Sequence, residues 1–337
     1  MMAKARIVRF HETGGADVLK IETVDVPAPG PGEVRIRARA LGLNRAEQMY
    51  YSGAYVIQPA FPAKIGYEIA GEVEALGPGV TQVAVGEAVS LLPISAMSDY
   101  AVHGELAIAP ANLLVKHPPN LSWESAAAAW MQFLTAYGAL IEIAKVGPGD
   151  AVVIPAASSS VGLAAIQLAN RAGATTIALT RSSAKRQQLL DAGAAHVIAT
   201  AEEDLVARIG EITGGQGARV TFDPVGGETF PLLAEAAAPQ GILFIYGALA
   251  AEVTPLPILQ VLPKHLTVRG YDVFEFYTMG ERFAAGLADI MAGLADGSLT
   301  PIIDRVFAFD DYVQAHRHLA SNQQFGKIVV SVPPHAG

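Results

Sequence analysis

The clearest pattern of hydrophobic and polar positions lies in residues 151–173. An apolar run at 151–154 is followed by small residues at 155–160. Apolar side chains then recur at helical spacing until Gly173, at Val161, Leu163, Ala164, Ile166 and Leu168. This order predicts a strand, a tight turn and a helix.

The same alternation continues through the middle of the chain. Further strands are predicted at 175–180, 196–199, 219–223, 242–246 and 266–270, and helices at 184–192, 202–212 and 228–238. Strands that alternate with helices are typical of a doubly wound parallel α/β sheet. In such a sheet a ligand binds beyond the carboxyl ends of the strands, where Tyr246 and Gly247 would lie.

The rest of the chain differs on the two sides of this region. Before residue 118 the pattern predicts short strands separated by Gly and Pro, at 5–10, 33–43, 69–76, 87–92 and 113–117. An alanine-rich stretch at 122–145 is apolar around most of its circumference and predicts one buried helix. After Gly270 we expect a helix, a strand, a helix and a strand, at 281–295, 302–308, 310–320 and 327–332.

Composition and charge restrict the possible functions. No apolar run approaches the roughly 18 residues that a membrane helix needs, so we expect a cytoplasmic protein with no membrane partner. The formal net charge of -9 disfavours nucleic acid as a partner. The absence of cysteine excludes disulfides, a thiolate nucleophile and any zinc site built on cysteine ligands.

The turn after the first strand of the sheet is a candidate phosphate site. It departs from the G-x-G-x-x-G pattern, because Ala157 and Ser159 replace the first two glycines and only Gly162 remains. A pyrophosphate could bind the backbone amides at the start of the helix, at Ser159, Ser160, Val161 and Gly162. The two Cβ atoms are tolerable if the turn keeps negative φ angles. An ordinary strand-to-helix turn with a serine cap is the alternative.

The end of the second strand bears on the choice of cofactor. NAD-specific folds place an acidic residue here to bind the ribose 2′-hydroxyl, whereas residues 180–186 contain none. Arg181, Ser182 and Lys185 could instead bind a 2′-phosphate through charge-assisted hydrogen bonds. The sequence therefore predicts NADPH rather than NADH, with a solvated basic helix start as the alternative.

Several short segments together carry a family resemblance: 29–34, 41–47, 53–55, 66–68, 135–137, 147–150 and 326–330. The chain resembles the medium-chain dehydrogenase/reductase superfamily, in the zinc-free branch of quinone oxidoreductases and enoyl reductases. The resemblance implies a β-rich GroES-like catalytic domain at 1–125, completed by 275–337. It also implies a Rossmann NADPH-binding domain with a doubly wound parallel sheet at 126–274.

The resemblance also bears on metal binding. Zinc-dependent members of the superfamily have a cysteine where this chain has Asn44 and a histidine where it has Tyr67. Neither an amide nor a neutral phenol is a usual zinc ligand, so we expect no metal. His316 and His318 are two residues apart, which puts them on different helix faces, and we expect both to be solvated.

Without a metal, another group must assist the reaction. In zinc-free enoyl reductases that resemble this chain, a tyrosine eleven residues after the asparagine does so, and Tyr55 matches that position. A phenol is protonated at neutral pH and can donate to a developing enolate. Tyr55 could instead be a packing aromatic, with Tyr67, Tyr50 or Tyr51 taking its role.

Three further residues complete the set of expected contacts. The resemblance places Asn44 at the nicotinamide and Thr135 near its carboxamide, and it adds Lys327 to the cofactor contacts. Capping of the next turn by Asn44 and a hydroxyl bonded to its own helix at Thr135 are the alternatives. Glu68 is expected to be a buried supporting group rather than a catalytic acid.

These observations predict an NADPH-dependent reductase that passes hydride to a quinone or to the C=C bond of an α,β-unsaturated carbonyl. A zinc-type alcohol dehydrogenase and a non-catalytic NADPH-binding structural or regulatory protein are the alternatives. The predicted sixth strand is an apolar sheet edge at 266–268, which favours a homodimer that continues the sheet across two subunits.

Overall fold

A computed structural model describes residues 2–95 and 97–334. The chain divides into two compact units. The first unit contains the residues up to Met131 and those from Met291 onwards, and the second unit is Gln132–Ile290.

The strands of the described residues are, in chain order, β1 (Ala3–Phe10), β2 (Lys20–Val26), β3 (Glu33–Gly42), β4 (Ala63–Lys64), β5 (Glu68–Leu76), β6 (Ala88–Leu91), β7 (Leu106–Pro110), β8 (Leu114–Val115), β9 (Ala151–Ile154), β10 (Thr175–Thr180), β11 (His196–Ala199), β12 (Ala218–Asp223), β13 (Ala237–Ile245), β14 (Thr267–Gly270), β15 (Ile303–Ala308) and β16 (Lys327–Ser331).

The helices are α1 (Arg45–Ser52), α2 (Met97–Tyr100), α3 (Trp123–Ala127), α4 (Trp130–Tyr137), α5 (Ser160–Arg171), α6 (Arg186–Asp191), α7 (Leu205–Ile212), α8 (Thr229–Ala236), α9 (Ile258–Lys264), α10 (Val273–Tyr277), α11 (Glu281–Asp296) and α12 (Tyr312–Ala320). In the described part of the chain, none of them combines the length and the apolar character needed to cross a bilayer.

The first unit is built on antiparallel pairing around β3, the longest strand of its larger sheet. That sheet has the order β15-β16-β3-β5-β6-β8, with β7 also paired to β3, and a smaller sheet has the order β2-β1-β4. The register pairs Gly42 at the end of β3 with Glu68 on β5 and with Val329 on β16. Three chain segments that are far apart in sequence therefore meet at one end of this sheet.

The second unit contains the predicted doubly wound sheet. All its strands are parallel, in the order β11-β10-β9-β12-β13-β14. Side chains such as Val153, Ile177, Ile198, Phe230 and Leu243 form its core. The predicted strand, turn and helix at 151–173 are confirmed as β9 and α5, and β9 lies at the centre, where the strand order reverses.

The single buried helix predicted at 122–145 is wrong. The chain forms α3, breaks at 128–129, continues as α4 and ends in a π-helical turn, Gly138–Ile143. The alanine-rich periodicity could not reveal the break, because Ala126–Ala128 are buried alike against Ala40, Ala70 and Val329. The break matters for the site, since it places the Met131 amide in the first turn of α4, where it donates to the Glu68 carboxylate at 2.8 Å.

Candidate active site

Asn44 lies between β3 and α1 and is largely buried. Its backbone is extended, and its N–H donates to Glu47 Oε2 at 2.9 Å, so that the Glu47 carboxylate closes the first turn of α1. The Asn44 side-chain amide donates to the Gly42 carbonyl at 3.2 Å and to Glu68 Oε2 at 3.0 Å. The orientation of the amide is thereby fixed, with its oxygen facing away from Glu68.

Lys327, at the start of β16, completes this network. Its ammonium group donates to Asn44 Oδ1 at 2.7 Å and forms an ion pair with Glu68, and both charged side chains are fully buried. Glu68 also accepts the Met131 amide, so both of its oxygens are occupied. Glu68 is thus the buried supporting group that the sequence predicted. The contact of Lys327 with a cofactor stays a prediction, because its ammonium is held by Asn44 and Glu68.

The Asn44–Lys327–Glu68 network is a poor site for a catalytic divalent cation. Where zinc-dependent members of the superfamily have a cysteine and a histidine, this chain has an amide, Asn44, and a phenol, Tyr67. The nearby carboxylate is already paired with the Lys327 ammonium. Zinc prefers thiolate, imidazole or unpaired carboxylate ligands.

Two tyrosines are joined by a hydrogen bond beside this network. The Tyr67 hydroxyl donates to the Tyr55 hydroxyl at 3.0 Å. Tyr67 is buried, and burial together with the Tyr55 contact raises the pKa of its phenol, so that it stays protonated. Tyr55 follows α1 and is half-buried, with its ring edge against Tyr50. The structure therefore brings together Tyr55 and Tyr67, the two tyrosines that the sequence nominated. The other two candidates, Tyr50 and Tyr51, are buried, as Tyr67 is.

Glu47 was missed as a site residue. Its carboxylate accepts the backbone N–H of Asn44 and, through Oε1, that of Tyr67 at 3.1 Å. Because the side chain is completely buried, its pKa is raised to about 7. The spacing of Asn44 and Glu47 is that of a capping box, which was the signal available in the sequence.

The candidate phosphate turn lies in the second unit, between β9 and α5. Ser159 caps α5 by accepting the Gly162 amide at 3.1 Å, and Ser160 and Val161 begin the helix, where backbone amides have no acceptor within the helix. A Cβ on Gly162 would lie 2.7 Å from the Ala157 carbonyl oxygen, so the close approach requires glycine. Ala157 and Ser159, which replace the first two glycines, are not among the residues with positive φ, whereas Ala156 before them has a φ of 48°.

The cationic segment after β10 reaches this turn. Lys185 Nζ donates to the Ser158 hydroxyl at 3.3 Å, and Arg181 and Ser182 are exposed nearby in sequence. The sequence missed Glu202, whose carboxylate accepts the Ser183 amide at 2.9 Å. That hydrogen bond lowers the pKa of Glu202. An acidic side chain therefore does reach this segment, from the loop after β11 instead of from β10.

Three other residues that the sequence nominated as cofactor contacts are Thr135, Tyr246 and Gly247. Thr135 is nearly buried within α4. Tyr246 stacks on Phe222 with ring centres 3.9 Å apart, and burial raises the pKa of its hydroxyl. Gly247 follows it, and a Cβ there would lie 2.8 Å from the Pro224 carbonyl oxygen. Tyr246 contributes packing at the end of β13, and its contact with a cofactor stays a prediction.

The expectation of two solvated histidines is wrong for one of them. His318 is partly exposed and its Nε2 lies 2.7 Å from Asp304 Oδ2. His316 lies on another face of α12 and is completely buried beside Tyr51 and Tyr312. The spacing gave the two faces correctly, but it could not show that one of them packs into the core.

Two family models match the chain. The model described as alcohol dehydrogenase GroES-like domain matches residues 30–156, and the model described as zinc-binding dehydrogenase matches residues 160–290. A quinone oxidoreductase of Pseudomonas aeruginosa is 31% identical over 97% of this chain and 99% of its own length. A 2-haloacrylate reductase of a Burkholderia species is 29% identical over 95% of this chain and 97% of its own length.

Solved structures agree with these relatives. The quinone oxidoreductase of Escherichia coli, complexed with NADPH, superposes with a TM-score of 0.89, at 28% identity over 97% of this chain and 99% of that chain. A structure described as an NAD-dependent alcohol dehydrogenase gives a TM-score of 0.87, at 30% identity and the same coverage. By its family models, its relatives and its fold, the chain belongs to the medium-chain dehydrogenase/reductase superfamily, in the quinone oxidoreductase branch.

Proposed function

We propose that the protein is an NADPH-dependent oxidoreductase that reduces a quinone or the C=C bond of an α,β-unsaturated carbonyl, with no metal taking part in the reaction. The observation that carries this proposal is the hydrogen bond from Tyr67 to Tyr55, beside a buried Asn44–Lys327–Glu68 network. A phenol with its own proton free is a suitable acid for a carbonyl substrate whose reduction generates an enolate.

The second unit has a turn that fits a phosphorylated dinucleotide. The small residues at 155–160 and Gly162 allow close approach to the backbone, and the first amides of α5 are suitable for a pyrophosphate. Lys185, with Arg181 and Ser182, would bind the 2′-phosphate, and the position of Lys185 at Ser158 supports this assignment. When bound, the cofactor supplies hydride from C4 of its nicotinamide. The NADPH complex of the Escherichia coli relative gives further support.

Proton delivery is assigned to Tyr55. Because the Tyr67 hydroxyl already donates to the Tyr55 oxygen, the Tyr55 proton is available to the oxygen of an acceptor. The same hydrogen bond stabilises the phenolate that Tyr55 becomes when it gives its proton away. Tyr67 is itself held in position by Glu47.

Asn44 is assigned to ligand positioning. Its Nδ2 hydrogens are used by Gly42 and Glu68, and one lone pair of Oδ1 is used by Lys327. The Asn44 side chain also accepts the Glu47 backbone N–H in the capping box, so these contacts hold it in one orientation toward a bound ligand. Lys327 therefore acts through Asn44, as a positioning residue.

Turnover measurements test this function. Protein treated with a chelator is assayed with NADPH and NADH against a panel of quinones and enones, and cofactor binding is measured by calorimetry. We expect NADPH to bind more tightly and to be oxidised by at least one acceptor class. Binding without turnover would favour the structural or regulatory alternative. Alcohol oxidation that is lost on chelation would favour the zinc dehydrogenase.

We also propose a homodimer formed through the edge of the parallel sheet. Among the described strands of that sheet, β14 lies at one edge. The neighbouring segment exposes large apolar side chains, with Val253 89% and Leu259 85% exposed. Light scattering should give a dimer that Leu259→Glu dissociates, while Val85→Glu, an exposed apolar control in the first unit, stays dimeric. A monomeric wild-type protein at micromolar concentration would contradict this assembly.

A further inference from the structure

A second buried polar cluster lies in the first unit, next to the candidate active site. It contains Glu47 on α1, His103 in the segment before β7, and His316 on α12. One carboxylate oxygen and one ring nitrogen from each histidine all lie within 4.8 Å of one another, and the three side chains are buried. In the described part of the chain, Glu47, His103 and His316 form the group of acidic and histidine side chains that lie close enough together to hold one metal ion.

The histidine nitrogens in this cluster have unused bonding capacity. Neither ring nitrogen of His316 has a hydrogen-bond partner in the described part of the chain, whereas the His103 ring also lies near the backbone carbonyls of Glu68 and Gly42. Buried polar atoms without partners are rare, because each loses the hydrogen bonds that it would make with water. Imidazole nitrogens are the commonest metal ligands in proteins.

The surroundings of His103 prepare it as a ligand. Its Nδ1 lies 2.6 Å from the Tyr312 hydroxyl, and if Nδ1 carries the proton, the lone pair of Nε2 faces Glu47 Oε1 at 3.8 Å. A second partner of this kind is typical of metal-binding histidines, because it fixes both tautomer and ring orientation. Gly66 makes room for the ring, since a Cβ there would lie 2.2 Å from His103 Cδ2.

We propose that Glu47, His103 and His316 bind one divalent metal ion of the first transition row, with zinc as the occupant. Two imidazoles and a carboxylate are a zinc ligand set, and a water molecule would complete four-coordination. Ligand atoms of a tetrahedral zinc site are about 3.3 Å apart, so small side-chain rotations close the cluster.

Charge in the region is compatible with a cation. Lys327, a basic group that acts on Glu47, is already paired with Glu68. The metal would also link three segments of the first unit that are distant in sequence. The inference goes beyond the proposed function, because this ion would not touch the substrate.

Metal titration of the full-length protein tests the site without any activity measurement. Chelator-treated protein is titrated with Co²⁺ and its visible absorption is recorded, and Zn²⁺ is then added to displace the cobalt. We expect one ion per chain, with the absorption of a four-coordinate site and a higher thermal midpoint. His316→Asn should weaken binding at least about 100-fold. His318→Asn, on the same helix and paired with Asp304, should bind as the wild type does.

X-ray absorption at the zinc edge of the wild-type protein keeps the test decisive if the His316 variant does not fold. The proposed site requires two imidazole ligands per zinc, whereas the His318–Asp304 pair could supply only one. Binding with one imidazole, equal binding by the His316 variant, or no saturable binding would each overturn the proposal.

Discussion

The two candidate regions are built in opposite ways. In the first unit, Asn44, Glu68 and Lys327 depend on one another through buried side-chain contacts between distant segments. In the second unit, the turn between β9 and α5 depends on backbone amides, a serine cap and one glycine, with Lys185 at its margin. The first region is therefore sensitive to the loss of any one charge, whereas single side chains at the second region tune binding.

The largest expected effect is on the stability of the first unit. Lys327→Met leaves the buried Glu68 carboxylate without its cation, which costs about 3–5 kcal/mol. The matched control is Lys116→Met, which removes an exposed ion pair with Glu87 and should cost little, because solvent screens that pair. Both tryptophans lie in the first unit, so their fluorescence during urea unfolding reports on it. Equal losses in the two variants would contradict the contrast.

The next effect concerns cofactor choice at the second region. Lys185→Glu should raise the KM for NADPH by about 10- to 100-fold, because it removes a charge-assisted hydrogen bond and adds repulsion. The KM for NADH should change little. Lys145→Glu, an exposed charge reversal in the same unit, is the control. Parallel changes for both cofactors would remove Lys185 from the 2′-phosphate site.

Tyr55→Phe should separate the two acceptor classes. The rate of enone reduction should fall about 10- to 100-fold, because the proton must then come from water. Quinone reduction should fall less, since quinones need less help with proton delivery. Tyr100→Phe removes another phenol of the first unit, one that donates to Glu33, and should leave both rates unchanged. An equal fall for the two acceptors would argue for a packing role of Tyr55.

The smallest effect is expected at Glu202. Glu202→Gln removes an exposed negative charge close to the proposed 2′-phosphate residues and should lower the KM for NADPH about twofold. Glu211→Gln, whose partner Arg208 lies on the same helix, serves as the control. A rise in the KM for NADPH would instead mean that the hydrogen bond to Ser183 organises the segment.

Sequence patterns predicted the second unit better than the first for a physical reason. A parallel sheet with helices repeats a local alternation, so β9 to β14 follow from periodicity and the expected edge strand is where the pattern put it. The network of the first unit joins Asn44 to Lys327 across 283 positions of sequence, and no local period records such a contact. Glu47, His103 and His316 are likewise far apart in sequence and close together in the fold.

Two misses have a related cause. At the break before α4 the Met131 amide donates to Glu68, and Glu202 reaches the segment after β10 from the loop after β11. Tyr55 and Tyr67, in contrast, were both nominated with the help of the family resemblance, and the structure joins their hydroxyl groups by a hydrogen bond.

The fixed amide of Asn44 limits how this scaffold could be redesigned. Exchanging Asn44 for cysteine would introduce a thiolate, but the Lys327 ammonium would remain beside it and repel an incoming metal ion. Conversion to a zinc alcohol dehydrogenase would therefore require Lys327 and Tyr67 to be replaced in the same step, so that metal-dependent and metal-free chemistry are separated by several coordinated substitutions.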